Sequence, residues 1–234
     1  MKKIVILTGA GISAESGLKT FRDADGLWEN HSIEDVATPE GWHKNPELVL
    51  RFYNERRAIA FHAKPNAGHL ALVELEKYFD VTIITQNVDN LHEKAGSSNV
   101  LHLHGELTKV RSVKDETLIY DIADKAIEIG DLAEDGGQLR PHIVWFGEAV
   151  PMIEPAAAIS SEADIFMVIG TSMQVYPAAG LIQFVEKNAQ KYVIDPKADE
   201  IDLPYRNLKT IAENATTGVP KVVTELIANK GKGI

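Results

Sequence analysis

Short runs rich in Val and Ile recur along the chain at Lys3–Leu7, Val81–Thr85, Val100–His102, Ile143–Trp145, Ile165–Ile169 and Tyr192–Ile194. None alternates cleanly between apolar and polar positions. A strand with one wet face alternates, whereas a strand covered on both faces does not. The runs therefore predict buried strands of a parallel sheet. Between them the apolar period lengthens. Leu70, Leu72, Val73, Leu75 and Phe79 fall near helical spacing within Ala67–Phe79, and Ala178–Lys187 and Val219–Ala228 read alike. Strands alternating with helices predict an α/β, doubly wound fold with a mostly parallel sheet.

Two stretches break the rhythm. Residues 24–64 hold helical segments and no convincing strand, the best helix being Pro46–Ile59 with proline at its start. Residues 106–142 are acidic and carry Gly136-Gly137. The expected organisation is one domain from 1–23, 65–105 and 143–234, with a smaller lobe built from the insertions 24–64 and 106–142.

Composition narrows the field. The 234 residues are 44% hydrophobic, enough for a sizeable core. A formal net charge of -10 disfavours a direct nucleic-acid partner and suits basic protein segments. There is no cysteine, so disulfides and thiolate metal sites are excluded. The first apolar run ends at Thr8-Gly9, too short for a signal-peptide core, and no stretch reaches membrane-span length. The expectation is a cytoplasmic protein without membrane contact.

Gly9-Ala10-Gly11-Ile12-Ser13-Ala14 follows the first strand directly and fits the G-x-G-x-x-[GA] turn of a Rossmann-like dinucleotide site. Its glycines allow close approach to a pyrophosphate, and the helix start behind them offers N–H groups. The plainer reading is an ordinary strand-to-helix turn. A dehydrogenase would place an acidic residue at the end of a second strand about 20 residues on. Here that region reads as a loop, Thr20 to Trp28, so NAD without the usual hydride-transfer layout is expected.

Other polar groups gather at predicted strand ends. Gln86, Asn87 and Asp89 follow one strand, where ligands of open α/β sheets bind, although Asn90 suggests a simple Asx turn. His102 and His104 share one face of a strand and are a possible metal pair without a convincing third ligand. Val144-Trp145-Phe146-Gly147-Glu148 reads as a buried strand ending in a glycine turn. Tyr53 and Arg56 are neighbours on one helix face, which could equally be solvated surface.

Taken in order, Gly9–Gly17, Thr20-Phe21-Arg22, Thr85–His92, His102–Gly105, Val144–Glu148 and Gly170-Thr171-Ser172 resemble the sirtuins, NAD-dependent protein lysine deacylases. The resemblance implies an enzyme that consumes NAD and an acylated lysine protein or peptide. Nicotinamide, free lysine and an O-acyl-ADP-ribose are its products. It makes His104 the general base, since an imidazole of pKa about 6.5 suits a ribose hydroxyl proton. It assigns Asn87 to catalysis and Gly9, Ala10, Gly11, Ile12, Glu15, Thr20, Phe21, Arg22, Gln86, Asn87, Asp89, Gly170, Thr171, Ser172, Asp195 and Ala215 to the cofactor. Asp195 stands where the family commonly has Asn, so altered but retained ribose binding is expected. His102 is left structural. Val144, Trp145, Phe146 and Gly147 would line the acyl-lysine channel, with the peptide added as a strand.

Most sirtuins carry two CxxC pairs in the insertion after the histidine block, and this chain has none, so no zinc is expected. The lobe would instead pack through Leu118, Ile119, Ile122, Ile127, Ile129 and Leu132. Ala37, Tyr53 and Arg56 resemble the sirtuin class acting on negatively charged acyl groups. Small Ala37 leaves room, and the phenol and guanidinium meet a carboxylate. Desuccinylase or demalonylase activity beside deacetylase activity is expected, from a monomer. Two alternatives use the same pocket: an NAD glycohydrolase or ADP-ribosyltransferase, and a non-catalytic NAD-sensing module.

Overall fold

The computed structural model describes residues 1–19, 31–201 and 203–230, and the backbone of 27–28. Thr20, Phe21 and Arg22 lie outside the described residues. The chain opens with β1 (Lys3–Thr8) and the short α1 (Gly11–Ala14). A two-stranded antiparallel pair follows, β2 (Leu27–Trp28) and β3 (His31–Ser32). Then come α2 (Ile33–Val36), α3 (Pro39–Lys44), α4 (Pro46–His62), α5 (Ala67–Glu76) and β4 (Asp80–Thr85). Next are α6 (Leu91–Ala95), β5 (Val100–His102), β6 (Gly105–Ser112), β7 (Ile119–Asp121) and β8 (Leu139–Ile143). The last part holds α7 (Ile153–Ser161), β9 (Ile165–Ile169), β10 (Gln190–Ile194), β11 (Leu208–Ile211) and α8 (Ala215–Asn229).

Six strands form one parallel sheet in the order β11-β10-β9-β1-β4-β5. The chain builds outward from β1 through β4 and β5, then returns to the other side of β1 through β9, β10 and β11. This is the doubly wound Rossmann order, with its direction reversing between β1 and β9. The apolar runs lack alternation because both faces are covered. Ile4 and Ile6 of β1 join Leu72, Leu75, Val219, Val222 and Leu226 from α5 and α8 on one face. Val5 and Leu7 join Phe166, Val168, Ala156, Leu181 and Ile182 on the other.

Several local expectations differ from the structure. The 24–64 stretch, read as having no strand, holds the short antiparallel pair β2–β3. Ile143–Trp145 is not a strand of this sheet. Ile143 ends β8, which pairs antiparallel with β6, and residues 144–145 leave it. Ala178–Phe184 is a 3₁₀ helix. β11 escapes the apolar pattern because it is an edge strand whose Lys209 and Thr210 are exposed.

β7, β6 and β8 form an antiparallel sheet that packs on α4. Its core holds only part of the set expected from the sequence. Ile119, Ile129 and Leu132 are exposed at 42%, 51% and 57%. Ile127 is buried with Val110 against Leu50 of α4, and Ile122, Tyr120, Leu139 and Trp42 pack around them. Polar contacts complete the join. Asn54 donates to the Ile127 carbonyl and accepts from its N–H. Buried Arg57 donates to the Leu107 and Lys125 carbonyls. The Ser112 hydroxyl donates to Asp135, whose carboxylate also accepts the Gly137 N–H at 2.7 Å. Among the described residues, no group of three or more His, Asp or Glu is placed to hold a metal ion, and no helix is long and apolar enough to cross a membrane.

Candidate active site

The glycine loop lies at the reversal point of the sheet. Its glycines are demanded first by packing against the end of β9. A Cβ on Gly11 would lie 2.6 Å from the Gly170 Cα, and one on Gly9 would lie 2.7 Å from the Thr171 Cβ. The Gly9 and Gly11 N–H groups donate to the Ile169 and Gly170 carbonyls, both at 2.9 Å. Of the helix-start amides expected to face an anion, that of Gly11, the first residue of α1, is therefore engaged with β9 instead. The Gly9 and Gly11 amides fasten the loop to β9, because the close approach of the two backbones pairs them first.

Beyond β4 the chain is fixed at almost every polar atom. The Gln86 N–H donates to the Thr8 carbonyl. Asn87 is buried. Its N–H donates to Thr85 Oγ1 at 3.0 Å, and its side-chain Nδ2 donates to the Gly9 carbonyl at 3.1 Å and Ser13 Oγ at 3.2 Å. A carbonyl only accepts, so the amide is oriented with Oδ1 away from Gly9. The Asx turn expected at Asn90 is made by Asp89 instead, whose Oδ1 accepts the Leu91 N–H at 3.0 Å. Burial pushes the Asp89 carboxyl up, partly offset by that N–H and by Ser13.

His104 follows β5, and its Nδ1 lies 3.1 Å from the Gln86 carbonyl. Nδ1 must therefore donate, which leaves Nε2 unprotonated in the neutral ring. Burial lowers its pKa, partly offset by the Gln86 bond, so the ring is neutral at physiological pH. His102 is bound instead between the Asn87 carbonyl and Glu93.

The segment after β8 forms the far wall. Val144 donates to the His104 carbonyl and Phe146 to the Ala37 carbonyl, each at 2.9 Å. Buried Trp145 is held on three sides. Its main-chain N–H donates to Glu148, its indole Nε1 donates to the Tyr53 hydroxyl at 3.1 Å, and the Arg140 guanidinium lies 3.3 Å from its ring centroid. Arg140 also donates to both Glu148 oxygens, at 2.7 and 3.1 Å. Burial pushes the Tyr53 phenol strongly upward, so it stays protonated.

A cavity of about 750 Å³ joins these parts. Of the residues singled out in the sequence, Gly9, Ala10, Gly11, Glu15, Ala37, Tyr53, Arg56, Gln86, Asn87, Asp89, His104, Val144, Trp145, Phe146, Gly147, Gly170, Thr171, Ser172 and Asp195 line it. Ile12 and Ala215 do not. Their side chains lie in the core between the sheet, α5 and α8. Asn214, one residue before Ala215, lines the cavity, as do Ser13, Lys19, Leu107, Val150, Tyr176 and Lys197. Asn214 precedes α8, and a helix-start signal there would have found it. Tyr176 carries no motif, and folding alone brings it to the rim. Asp195, which follows β10, is 3% exposed, and its Oδ1 accepts the Lys197 N–H at 2.9 Å.

Residues 9–177 match the Sir2 family model. This chain belongs to the Sir2 family. A relative from Helicobacter pylori named NAD-dependent protein deacylase is 57% identical over 97% of this chain and 98% of its own length. A relative of the same name from Bacteroides thetaiotaomicron is 53% identical over 97% of this chain and 99% of its own length. Among solved structures, a Sir2 homolog–NAD complex is 37% identical with a TM-score of 0.85, covering 98% of this chain and 91% of that one. A Sir2–p53 peptide–NAD+ structure is 28% identical with a TM-score of 0.74, covering 98% of this chain and 94% of that one. The glycine loop, the 86–89 segment and the histidine block all fall within the part matched by the family model.

Proposed function

We propose that the protein is an NAD-dependent protein lysine deacylase, with NAD as co-substrate and acylated lysine as the group acted upon. The observation that carries this reading is the single cavity in which the glycine loop, Asn87, a neutral His104 and the Trp145 wall meet. The residues present fit a dinucleotide. The Gly9 and Gly11 backbone packs directly against the end of β9, where any side chain would collide, and both residues line the cavity. Polar groups from β1, β4, β9 and β10 converge on the cavity from both sides of the reversal point. NAD supplies the reaction with an electrophilic ribose carbon and a nicotinamide leaving group.

The chain's own residues do the rest. Asn87, its carboxamide nitrogen held by Gly9 and Ser13, would offer its carboxamide oxygen to the ribose bearing nicotinamide. His104, with its proton on Nδ1, accepts a ribose hydroxyl proton at Nε2. Trp145 and Phe146 wall the acyl-lysine side, and their apolar surface keeps water from the reacting atoms. Asp195 serves the ribose on the β10 side. Ala37, Tyr53 and Arg56 line the same cavity and would serve as the acyl-recognition group. Arg56 would pair with a terminal carboxylate, so succinyl- and malonyl-lysine join acetyl-lysine as substrates.

The test is nicotinamide release from NAD without peptide, with acetyl-lysine peptide and with succinyl-lysine peptide. Release that requires peptide and matches free lysine supports the deacylase and ranks its acyl groups. Equal release without peptide would identify an NAD hydrolase. Binding of ADP-ribose without any release would identify a sensing module.

A further inference from the structure

His102 and His104 dock their Nδ1 atoms on successive carbonyls, those of Asn87 and Gln86, each at 3.1 Å. A carbonyl only accepts, so both Nδ1 atoms carry protons. The rings part company at Nε2. That of His102 lies 2.8 Å from Glu93 Oε1 of α6, and a carboxylate is also an acceptor. A ring between two acceptors needs two protons, which makes His102 an imidazolium. The surroundings agree. Burial pushes His102 down, but the Glu93 hydrogen bond and the charges of Glu93 and Glu106 outweigh it and leave the pKa raised. Burial pushes Glu93 up, and His102 outweighs that, so the carboxylate stays charged. The ionisable groups around the ring are Glu93 and His92 of α6, Glu106 of β6 and Asp89.

The Asn87 carbonyl is thus the one main-chain anchor of that residue supplied by a titrating group. Its N–H and carboxamide are held by Thr85, Gly9 and Ser13, none of which titrates. We propose that His102 is a positioning residue, a charged clamp on the Asn87 carbonyl whose deprotonation frees that carbonyl, loosens Asn87 and closes the activity on its alkaline side. A neutral His102 keeps one proton for two acceptors. The charged Glu93 makes the stronger bond and takes it. The Asn87 carbonyl then loses its side-chain donor, and the Thr85, Gly9 and Ser13 contacts alone hold the residue against small displacements. The two histidines therefore bound one pH window. His104 opens it from the acid side, below 6.5, by losing the proton on Nε2. His102 closes it above 6.5. The inference rests on the assignment of Asn87 to the NAD ribose, and its first readout does not need turnover.

The experiment is side-chain ¹⁵N NMR of histidine-labelled full chain across pH, without ligand. The expected result is His102 protonated on both nitrogens at neutral pH and titrating above 6.5, with His104 protonated on Nδ1 alone. ADP-ribose affinity and kcat should weaken across the His102 titration. Glu93→Gln should move that titration, and both alkaline limbs, to lower pH by about one unit, leaving the acid limb of kcat in place. His102→Gln, which keeps a donor for Asn87 but cannot titrate, should abolish the alkaline limb of ADP-ribose affinity. A His102 with one protonated nitrogen at neutral pH would overturn the proposal. So would an alkaline limb that ignores Glu93→Gln. A chain inactive on acyl peptides would overturn the deacylase reading alone, since the affinity limb still reports on the clamp.

Discussion

At the scale of single residues, the same side chain takes different chemistry from its neighbours. His102 and His104 are identical on paper, and His102 ends β5 while His104 follows it. One meets a carboxylate at Nε2 and is charged, and the other turns Nε2 to the cavity and is neutral. Replacing the neutral ring tests its role directly. His104→Asn should cut kcat by about 10²–10⁴, the usual value of a general base, with ADP-ribose affinity nearly unchanged in calorimetry. A parallel loss of affinity would show a binding role instead. Arg56 answers a different question. Arg56→Met should lower kcat/KM for succinyl-lysine peptide far more than for acetyl-lysine peptide, because only the former offers it a carboxylate. Equal losses on both peptides would remove Arg56 from acyl recognition. The Tyr53 and Arg56 pairing was visible as helical spacing. That Tyr53 is wholly buried, with its hydroxyl accepting from Trp145, was not, because Trp145 is distant in the chain.

At the scale of elements, the glycine loop was legible and its reason was not. The sequence suggested glycines for the sake of a ligand. The structure adds a backbone contact: Gly11 and Gly170 approach so closely that neither tolerates a Cβ. Gly11→Ala should therefore destabilise the free protein by about 1–3 kcal/mol, the range for forcing a methyl into a packed site. The loss should show as a lower Tm with no NAD present. An unchanged Tm combined with weakened ADP-ribose binding would mean that the loop shifts at no cost and that the glycine serves the ligand alone. α4 gives the complementary case. Its helical pattern was plain, but its work in fastening the 106–142 insertion falls to polar Asn54 and Arg57, which hydrophobic patterning ignores. β8 was misplaced for a related reason. A short apolar run fits a parallel or an antiparallel partner equally well, and only the β6 pairing decides between them.

At the scale of the whole molecule, the sheet order sets where chemistry can happen, and the buried histidines set a limit on acid stability. His69 of α5 and His92 of α6 are buried with ring centroids 4.9 Å apart, and the His92 ring shares a hydrogen bond with Thr8 of the central strand β1. Burial lowers His69 to about 4 and His92 well below its ordinary value. Unfolded histidine titrates near 6.5, so below that pH the unfolded chain binds protons that the native chain refuses. Stability from these two rings is complete above about 6.5 and is lost as pH falls, by roughly 3 kcal/mol at pH 4 from His69 alone. Urea midpoints should be clearly lower at pH 5.5 than at pH 7.5, a window above the carboxylate range. Equal midpoints would mean that the rings are protonated in the native state as well.

The sequence by itself determined the alternation of strands and helices, the absence of thiolate chemistry and the order of the polar blocks. These are local properties, written in neighbouring residues and in composition. The tertiary structure decided what each block touches. It placed the sheet reversal beside the glycine loop and set Ile12 in the core and Asn214 at the cavity. It kept Ile122 and Ile127 of the expected lobe core, exposed Ile119, Ile129 and Leu132, and added Val110 and Leu50. It also gave two histidines only two residues apart different partners, Glu93 at Nε2 of His102 and the Gln86 carbonyl at Nδ1 of His104. The physical reason is the same throughout. Burial, close backbone approach and protonation depend on groups brought together from distant parts of the chain, and no local pattern records which ones meet.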